Sequence, residues 1–175
     1  MSPRKKTVDP AQGVLHVEWP LFGELSRALA LKVSREYDPE LVVGIATAGV
    51  VPGAVIAAML GREFHSIVVS RKYRATSDRE MPEVFGAAPA EVNGKRVLIV
   101  DETCDSGDTM RLAVAATLEA GAAEVRTAVE FQTGPYVPDF HALATTSSIV
   151  LPWDREIIEN GDLVMNPRYA EALKS

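Results

Sequence analysis

The sequence predicts an α/β fold in which an open, twisted, parallel sheet carries helices on both faces. Short apolar runs rich in Val and Ile recur along the chain, which is typical of strands buried on both sides. Helical patterns separate these runs, and strands that alternate with helices form parallel sheets through right-handed crossovers. The 175 residues show no internal repeat and no linker, so we expect a flexible tail at 1–13 and a single domain over 14–175.

The first helix is predicted from the spacing of apolar residues. Leu21, Leu25, Leu29 and Val33 recur at every fourth position, which indicates an amphipathic helix over residues 18–37. The later elements follow from apolar runs and helical patterns, in the order strand 41–46, helix 48–60, strand 63–70, strand 96–101, helix 109–120, strand 123–131 and strand 147–153.

Residues 71–94 differ from the rest of the chain because they are polar, charged and interrupted by Pro and Gly. A segment of this length without periodicity is either disordered or functional. In open α/β sheets ligands bind at the carboxyl ends of the strands. We therefore expect the functional loops to begin near Ala46, Ser70, Asp101, Phe131 and Leu151.

Composition narrows the class of function. A net charge of -6 argues against a broad nucleic-acid surface, although a small basic pocket remains compatible with it. The single cysteine, Cys104, excludes an intrachain disulfide and favours a reducing compartment. No apolar run reaches the roughly 18 residues of a membrane span. These features predict a cytoplasmic protein that acts on small molecules, without a nucleic-acid or membrane partner.

The most informative stretch is "VLIVDETCDSGDT", residues 97–109. A helix that begins after this run offers free N–H groups and a positive dipole end to an anion, and Gly107 allows close backbone approach. Ser106 and Thr109 add hydroxyl donors. Asp101 and Glu102 would repel a phosphate, so we expect them to face sugar hydroxyls, Mg²⁺ or a developing positive charge. Alternatively, Asp105 or Ser106 is simply a helix N-cap.

This run resembles the phosphoribosyl-pyrophosphate (PRPP) signature of the type I phosphoribosyltransferases. The stretch "VVGIATAGVVPG" at 42–53 is similar to the pyrophosphate loop of that family, and 71–94 lies where the family has its flexible catalytic loop. The stretch "IVLPWDRE" at 149–156 is similar to the C-terminal region of 6-oxopurine members, the xanthine–guanine type in particular. The resemblance covers roughly residues 15–160 and implies a Rossmann-like sheet with a small C-terminal hood at about 132–160.

The resemblance implies transfer of a 5-phosphoribosyl group from PRPP to a nucleobase, with 6-oxopurines as the expected class of base, and release of pyrophosphate. It assigns Asp101 and Glu102 to the ribose hydroxyls, directly or through Mg²⁺, and Asp105 to proton acceptance near the purine N7. The implied 5′-phosphate site is formed by Asp105, Ser106, Gly107, Asp108 and Thr109. The implied pyrophosphate site is formed by Thr47, Ala48, Gly49, Arg71 and Lys72. The implied base site is formed by Trp153, Gln132 and Asp154.

The sequence departs from the family pattern at two places. The run Ala46–Gly49 has no Lys or Arg where the pyrophosphate loop usually carries one, and Arg71 and Lys72 are the candidates to replace it. Gln132 stands where 6-oxopurine enzymes typically have a Lys that binds O6, so the choice of base stays open. Both departures are also compatible with a second hypothesis, in which the protein is a non-catalytic regulator that binds PRPP or nucleotides on the same fold. The resemblance further implies a homodimer.

Overall fold

The computed structural model describes residues 13–72, 81–85 and 87–169, with the backbone alone for 70–72 and 81–85. Its elements, in chain order, are β1 (Val14–His16), α1 (Trp19–Glu36), β2 (Leu41–Ala46), α2 (Val50–Leu60), β3 (Glu63–Lys72), β4 (Met81–Phe85), β5 (Arg96–Cys104), α3 (Asp108–Glu119), β6 (Glu124–Gln132), β7 (Phe140–Ala144), β8 (Ser148–Val150), β9 (Glu156–Glu159) and β10 (Asp162–Met165). Short 3₁₀ helices lie at Ala90–Val92 and Pro167–Tyr169. None of the described helices is long and apolar enough to span a membrane.

The chain forms two compact units. The larger is Glu24–Thr145, and the smaller combines the chain ends, Met1–Gly23 with Thr146–Ser175. In the larger unit six strands form one sheet in the order β4-β3-β2-β5-β6-β7. Five of these strands run parallel, and β4 pairs antiparallel with β3 at one edge. The predicted α/β fold with a parallel sheet is therefore confirmed.

Both faces of the sheet are covered, as predicted. Val97 and Ile99 of β5 pack in a cluster that includes Met110 and Ala113 of α3. Leu98, the intervening residue, packs in a second cluster whose members come partly from α1 and α2. Alternate residues of one strand thus serve two separate cores, which explains why the strand reads as an uninterrupted apolar run.

Helix α1 matches its predicted span to within one residue at each end, but its buried face is rotated from the predicted one. Leu29 and Val33 are fully buried, whereas Leu21 is 40% exposed. A polar residue, Ser26, lies on the buried face, and its hydroxyl donates to Oε1 of the buried Glu130 at 2.7 Å. Among the described residues Glu130 Oε2 has no hydrogen-bond partner, and burial raises the pKa of this carboxyl to about 7.

The predicted fifth strand, residues 147–153, is wrong as a member of the main sheet. The fifth parallel strand is β7, whose register places Phe140 beside Ala128 of β6. Residues of the predicted strand form β8, which pairs with β1 in a separate two-stranded sheet. Strand β7 escaped prediction because only Phe140 of its five residues is buried, so it shows no apolar run.

The segment 71–94 was predicted as a loop without regular structure, and its described part contains a strand instead. Strand β3 continues to Lys72, and β4 returns beside it from Met81. Residues 73–80 and 86 of that predicted loop lie outside the described residues, as does most of the predicted flexible tail, residues 1–12.

In the smaller unit, β9 and β10 form an antiparallel hairpin that the sequence interpretation missed. Glu159 pairs with Asp162, so Asn160 and Gly161 alone form the turn. Both have positive φ, 53° and 92°, as a type I′ turn requires. The signal was present, since Asn-Gly between two short segments that contain apolar residues is a strong local indicator of a hairpin.

Candidate active site

The carboxyl end of β5 and the start of α3 together line a cavity of about 180 Å³, formed by residues Asp101–Met110. The structure thus brings together two groups of residues that the sequence interpretation assigned to one ligand. Asp101 and Glu102 are partly buried near the end of the strand, while Asp105, Ser106 and Asp108 are exposed in the following turn. The acids and the helix N-terminus therefore face one shared space.

The turn that leads into α3, residues 105–109 (the phosphate turn below), depends on Gly107. This residue precedes the first helical residue and has φ +80°, a conformation that favours glycine. A Cβ at this position would collide with the ring of Tyr136. Ser106 Oγ donates to Asp108 Oδ2 at 2.8 Å, so the hydroxyl and the carboxylate of the turn already contact each other.

The loop after β6, residues 133–136, supports the phosphate turn from outside the cavity. Thr133 donates twice to the carbonyl oxygen of Cys104, from its backbone N at 2.9 Å and from Oγ1 at 3.2 Å. The backbone N of Tyr136 donates to the carbonyl oxygen of Asp105 at 3.2 Å. Gly134 lies so close to Asp105 that a Cβ on the glycine would collide with the aspartate.

Arg111, in the first turn of α3, also contacts the phosphate turn. Its Nη1 donates to the carbonyl oxygen of Ser106 at 2.9 Å and to Asp108 Oδ1 at 3.2 Å. Its guanidinium carbon lies 5.0 Å from the centre of the Tyr136 ring. Sequence reasoning did not single out Arg111 or Tyr136. The spacing of three residues between Asp108 and Arg111 was the available signal, because residues so spaced are neighbours on a helix.

The predicted pyrophosphate loop joins β2 to α2 and lies against β5. A Cβ on Gly49 would sit 2.7 Å from the carbonyl oxygens of Ile45 and Val100, and 2.9 Å from Cα of Asp101. Only glycine fits this contact, which places the loop beside the first acid of the pair. Thr47 is exposed, and the Ala46–Thr47 peptide bond is cis.

Arg71 and Lys72 were predicted to supply the positive charge that this loop lacks. Their backbones belong to β3 and pair with Pro82 and Met81 of β4. Their side chains lie outside the described part of the structure.

The three predicted base-contacting residues are divided between the two units, with one in the larger unit and two in the smaller. Gln132 ends β6 in the larger unit, and its Nε2 donates to the carbonyl oxygen of Gly134 at 3.4 Å. Trp153 lies in the smaller unit, with its ring centre 5.0 Å from that of Phe22 and 6.0 Å from that of Trp19. Asp154, in the same unit, accepts a 2.7 Å hydrogen bond from the Tyr169 hydroxyl. Both residues therefore have structural contacts within their own unit.

The acid pair, Asp101 and Glu102, suits a metal ion whose remaining ligands come from a bound substrate. Asp101 Oδ1 accepts a hydrogen bond from the backbone N of Glu102 at 2.9 Å, which fixes one carboxylate oxygen. Within the described residues no three His, Cys, Asp or Glu side chains are grouped so that they could enclose a metal ion. Mg²⁺ is commonly bound by one or two carboxylates together with substrate oxygens, and the pair fits this mode.

Cys104 is buried beneath the phosphate turn. The pKa of its thiol is raised to about 11, chiefly by burial and also by the nearby Asp101 and Asp105, against opposing effects of Arg111 and of a hydrogen bond from the Gly107 backbone. A thiol with this pKa remains protonated near neutral pH, so it is a poor nucleophile. Its burial and its protonated thiol indicate that Cys104 is a packing residue.

The chain resembles known proteins along most of its length. A GfcR transcriptional regulator from Archaeoglobus fulgidus is 32% identical over 57% of this chain, and the match spans 55% of the regulator. A xanthine-guanine phosphoribosyltransferase from Nitratidesulfovibrio vulgaris is 27% identical over 94% of this chain and 99% of that protein. The crystal structure of a purine phosphoribosyltransferase from Pyrococcus horikoshii superposes with a TM-score of 0.73 and 28% identity, covering 84% of this chain and 99% of the other.

These relatives agree with the resemblance first noted in the run from Val97 to Thr109. A match to the phosphoribosyl transferase domain covers residues 17–159, which include the predicted pyrophosphate loop, the acid pair and the turn at 105–109. This chain therefore belongs to the phosphoribosyl transferase domain family.

Proposed function

We propose that this protein transfers the 5-phosphoribosyl group of PRPP to a purine base and releases pyrophosphate. The observation that carries the proposal is the single cavity lined by the acid pair and by the N-terminal turn of α3. A sugar phosphate needs both parts, because amides and hydroxyls suit its phosphate while carboxylates suit its ring hydroxyls. The Gly49 contact adds a third part, since it brings the pyrophosphate loop to Asp101.

In the proposed reaction the bond from ribose C1 to the pyrophosphate oxygen breaks, and pyrophosphate leaves with the bonding electrons. A ring nitrogen of the base then forms the new bond to C1, and Asp105, assigned to a position near the purine N7, accepts the proton that the base loses. Positive charge develops on the ribose as the first bond breaks. Asp101 and Glu102 would stabilise that charge, so catalysis here is mainly positioning and electrostatic stabilisation.

The remaining parts of the proposal concern the ligands. Asp101 and Glu102 would hold Mg²⁺ together with oxygens of PRPP, and the ion would offset the charge of the departing pyrophosphate. Thr47, Ala48 and Gly49 would bind pyrophosphate through backbone N–H groups, with Arg71 and Lys72 as the candidate cations. Ser106, Gly107, Asp108 and Thr109 would surround the 5′-phosphate.

For the base, a 6-oxopurine is the proposed substrate, supported by the similarity to xanthine-guanine phosphoribosyltransferases. Gln132, Trp153 and Asp154 stay as sequence-based predictions for contacts to the base. An amide at Gln132 can donate or accept a hydrogen bond, unlike the Lys that is typical of 6-oxopurine enzymes. We also propose a cytoplasmic location and a homodimer, on the basis of the family resemblance.

A second candidate function is a regulator that binds PRPP or a nucleotide without turnover. Two observations favour it: Ala46–Gly49 carries no Lys or Arg, and the chain is similar to a GfcR transcriptional regulator. Backbone amides alone would bind pyrophosphate more weakly than amides assisted by a cation.

One experiment separates the two functions and identifies the base. Purified protein is incubated with PRPP, Mg²⁺ and each of xanthine, guanine, hypoxanthine and adenine, and released pyrophosphate is measured. We expect release with at least one 6-oxopurine. Absence of release with every base, together with PRPP binding in calorimetry, would overturn the proposed transfer and favour the regulator.

A further inference from the structure

The proposed phosphate cavity has an unusual balance of charge. Its lining, Asp101–Met110, contains four carboxylates and neither Lys nor Arg. Two of these acids, Asp105 and Asp108, belong to the turn that would surround a dianionic phosphate. These two carboxylates would repel a phosphate bound in the turn, because all three groups are negative. The N-terminus of α3 supplies only about half an elementary positive charge in compensation.

Arg111 is the cation that directly follows this lining in the sequence, and its position is defined by three contacts. Nη1 bonds both the carbonyl oxygen of Ser106 and the carboxylate of Asp108. The guanidinium carbon lies over the Tyr136 ring, 5.0 Å from the ring centre. A planar cation held on an aromatic ring and by two acceptors keeps a fixed orientation, which a single exposed ion pair does not provide.

Tyr136 connects this cation to the backbone of the turn. The ring lies directly against Gly107, the residue with φ +80°, and the backbone N of Tyr136 bonds the carbonyl oxygen of Asp105. One residue therefore contacts Arg111 and two positions of the phosphate turn. Its loop is itself bonded to Cys104 through Thr133.

We propose that Arg111 and Tyr136 are positioning residues of the 5′-phosphate site. Arg111 offsets the charge of Asp108 and holds the carbonyl of Ser106 away from the phosphate, while Tyr136 keeps Arg111 and Gly107 in place. Neither residue needs to touch the ligand in this role. The inference rests on the proposed function, because it concerns the phosphate group of the same sugar substrate.

The chain contains a matched control pair. The guanidinium of Arg126 lies 4.7 Å from the centre of the Tyr37 ring, in a contact of the same kind. Arg126 is near the start of β6, whereas the phosphate turn follows the carboxyl end of the neighbouring β5. Removing each guanidinium in turn, with Arg111→Met and Arg126→Met, therefore compares similar losses at opposite ends of the sheet.

The test combines calorimetry with steady-state kinetics. For Arg111→Met we expect the Kd of ribose 5-phosphate and the KM of PRPP to rise about tenfold, the usual result of losing a hydrogen bond made by a charged group. The value of kcat and the KM of the base should stay within about twofold, and Arg126→Met should match the wild type. Tyr136→Leu should weaken binding of ribose 5-phosphate in the same way. Tyr136→Phe, which keeps the ring, should bind it as the wild type does.

A double variant tests the charge argument. If Arg111 acts by offsetting Asp108, then Arg111→Met/Asp108→Asn should bind ribose 5-phosphate more tightly than Arg111→Met alone. An unchanged Kd in a folded Arg111→Met protein would overturn the inference, as would equal losses in kcat and in the affinities for both substrates.

The calorimetric readout separates this inference from the proposed transfer. A wild-type protein that turns over PRPP while Arg111→Met leaves the Kd of ribose 5-phosphate unchanged would defeat the positioning role alone. A wild-type protein without turnover, whose ribose 5-phosphate affinity still depends on Arg111, would defeat the transfer alone. A wild-type protein that neither binds ribose 5-phosphate nor releases pyrophosphate from PRPP with any base would defeat both.

Discussion

The loop after β2 and the turn after β5 belong to neighbouring parallel strands, yet they hold their shapes by different means. The loop at Ala46–Gly49 requires a residue without a side chain at position 49, because a Cβ there would collide with Val100 and Asp101. The phosphate turn also requires a glycine, Gly107, but it is held in addition by side chains, chiefly those of Arg111 and Tyr136. The first loop offers shape alone, whereas the second combines shape with ionisable groups.

This difference suggests how the two loops divide the proposed reaction. The loop before α2 would bind an anion through its backbone, so its performance should depend on geometry. The phosphate turn carries Asp105 and adjoins Asp101 and Glu102, so the chemical step should depend on it. Substitutions in the two loops are therefore expected to change different measured quantities.

The largest expected effect is on the chemical step, through Asp105→Asn. The substitution keeps the shape of the side chain and removes its ability to accept a proton, so kcat should fall about a thousandfold, within the usual range for loss of a general base. The KM of PRPP should change much less. Pyrophosphate release measures both, with Glu119→Gln, an exposed acid at the end of α3, as the control. Full turnover in Asp105→Asn would show that the assigned proton acceptor is wrong.

A second expected effect concerns the reactivity of the Cys104 thiol, which is buried beneath the phosphate turn. With a thiol pKa of about 11, Cys104 should react with a disulfide reagent at pH 8 about 200-fold more slowly than an unperturbed thiol, because the thiolate is so scarce. The rate should rise as the pH approaches 11 and should become ordinary in denaturing urea.

The loop before α2 provides the contrasting probe. Thr47→Cys in a Cys104→Ser background places a thiol at an exposed position, and it should react at an ordinary rate in the folded protein. Similar rates for Cys104 and for this introduced cysteine would contradict the difference in burial between the two positions.

The smallest of these effects concerns shape alone. Gly49→Ala forces a methyl group against backbone atoms of Ile45 and Val100, so it should lower the free energy of unfolding by about 1–3 kcal/mol and raise the KM of PRPP. Gly23→Ala is the matched control, because nothing lies within 4 Å of its Cβ position in α1. It should stabilise the helix by about 0.5–1 kcal/mol. Urea unfolding compares the two variants, and a neutral Gly49→Ala would refute the close contact.

The sequence predicted those parts of the fold in which local pattern and burial coincide. The apolar run of β5 and its junction with the turn at Asp105 were found because strand, acids and helix start are consecutive in the chain. Strand β7 was missed because it lies at the edge of the sheet with one buried residue in five. Its place depends on pairing with β6, which the pattern of residues 140–144 alone does not show.

The site shows the same limit. Ser106 and Gly107 were predicted from a contiguous motif, but Tyr136 reaches Gly107 only because two separate strands, β5 and β6, end side by side. A contact between residues 29 positions apart leaves no periodic trace in the sequence. Gly134 was likewise invisible as a neighbour of Asp105 until the strands were placed.

The buried pair of Ser26 and Glu130 has a consequence for the whole fold. Burial raises the folded-state pKa of Glu130 to about 7 from an ordinary value of 4.5, so between these values the native chain retains a proton that the unfolded chain releases. Folding is therefore coupled to proton uptake, and this group makes the protein less stable as the pH rises, by up to about 3 kcal/mol across that interval. Urea titrations at pH 5 and pH 8 should show the decline in the wild type and a smaller one in Glu130→Gln, while Glu124→Gln, an exposed acid on the same strand, retains it. Mildly acidic solution is thus the condition in which helix α1 is held most firmly against the sheet.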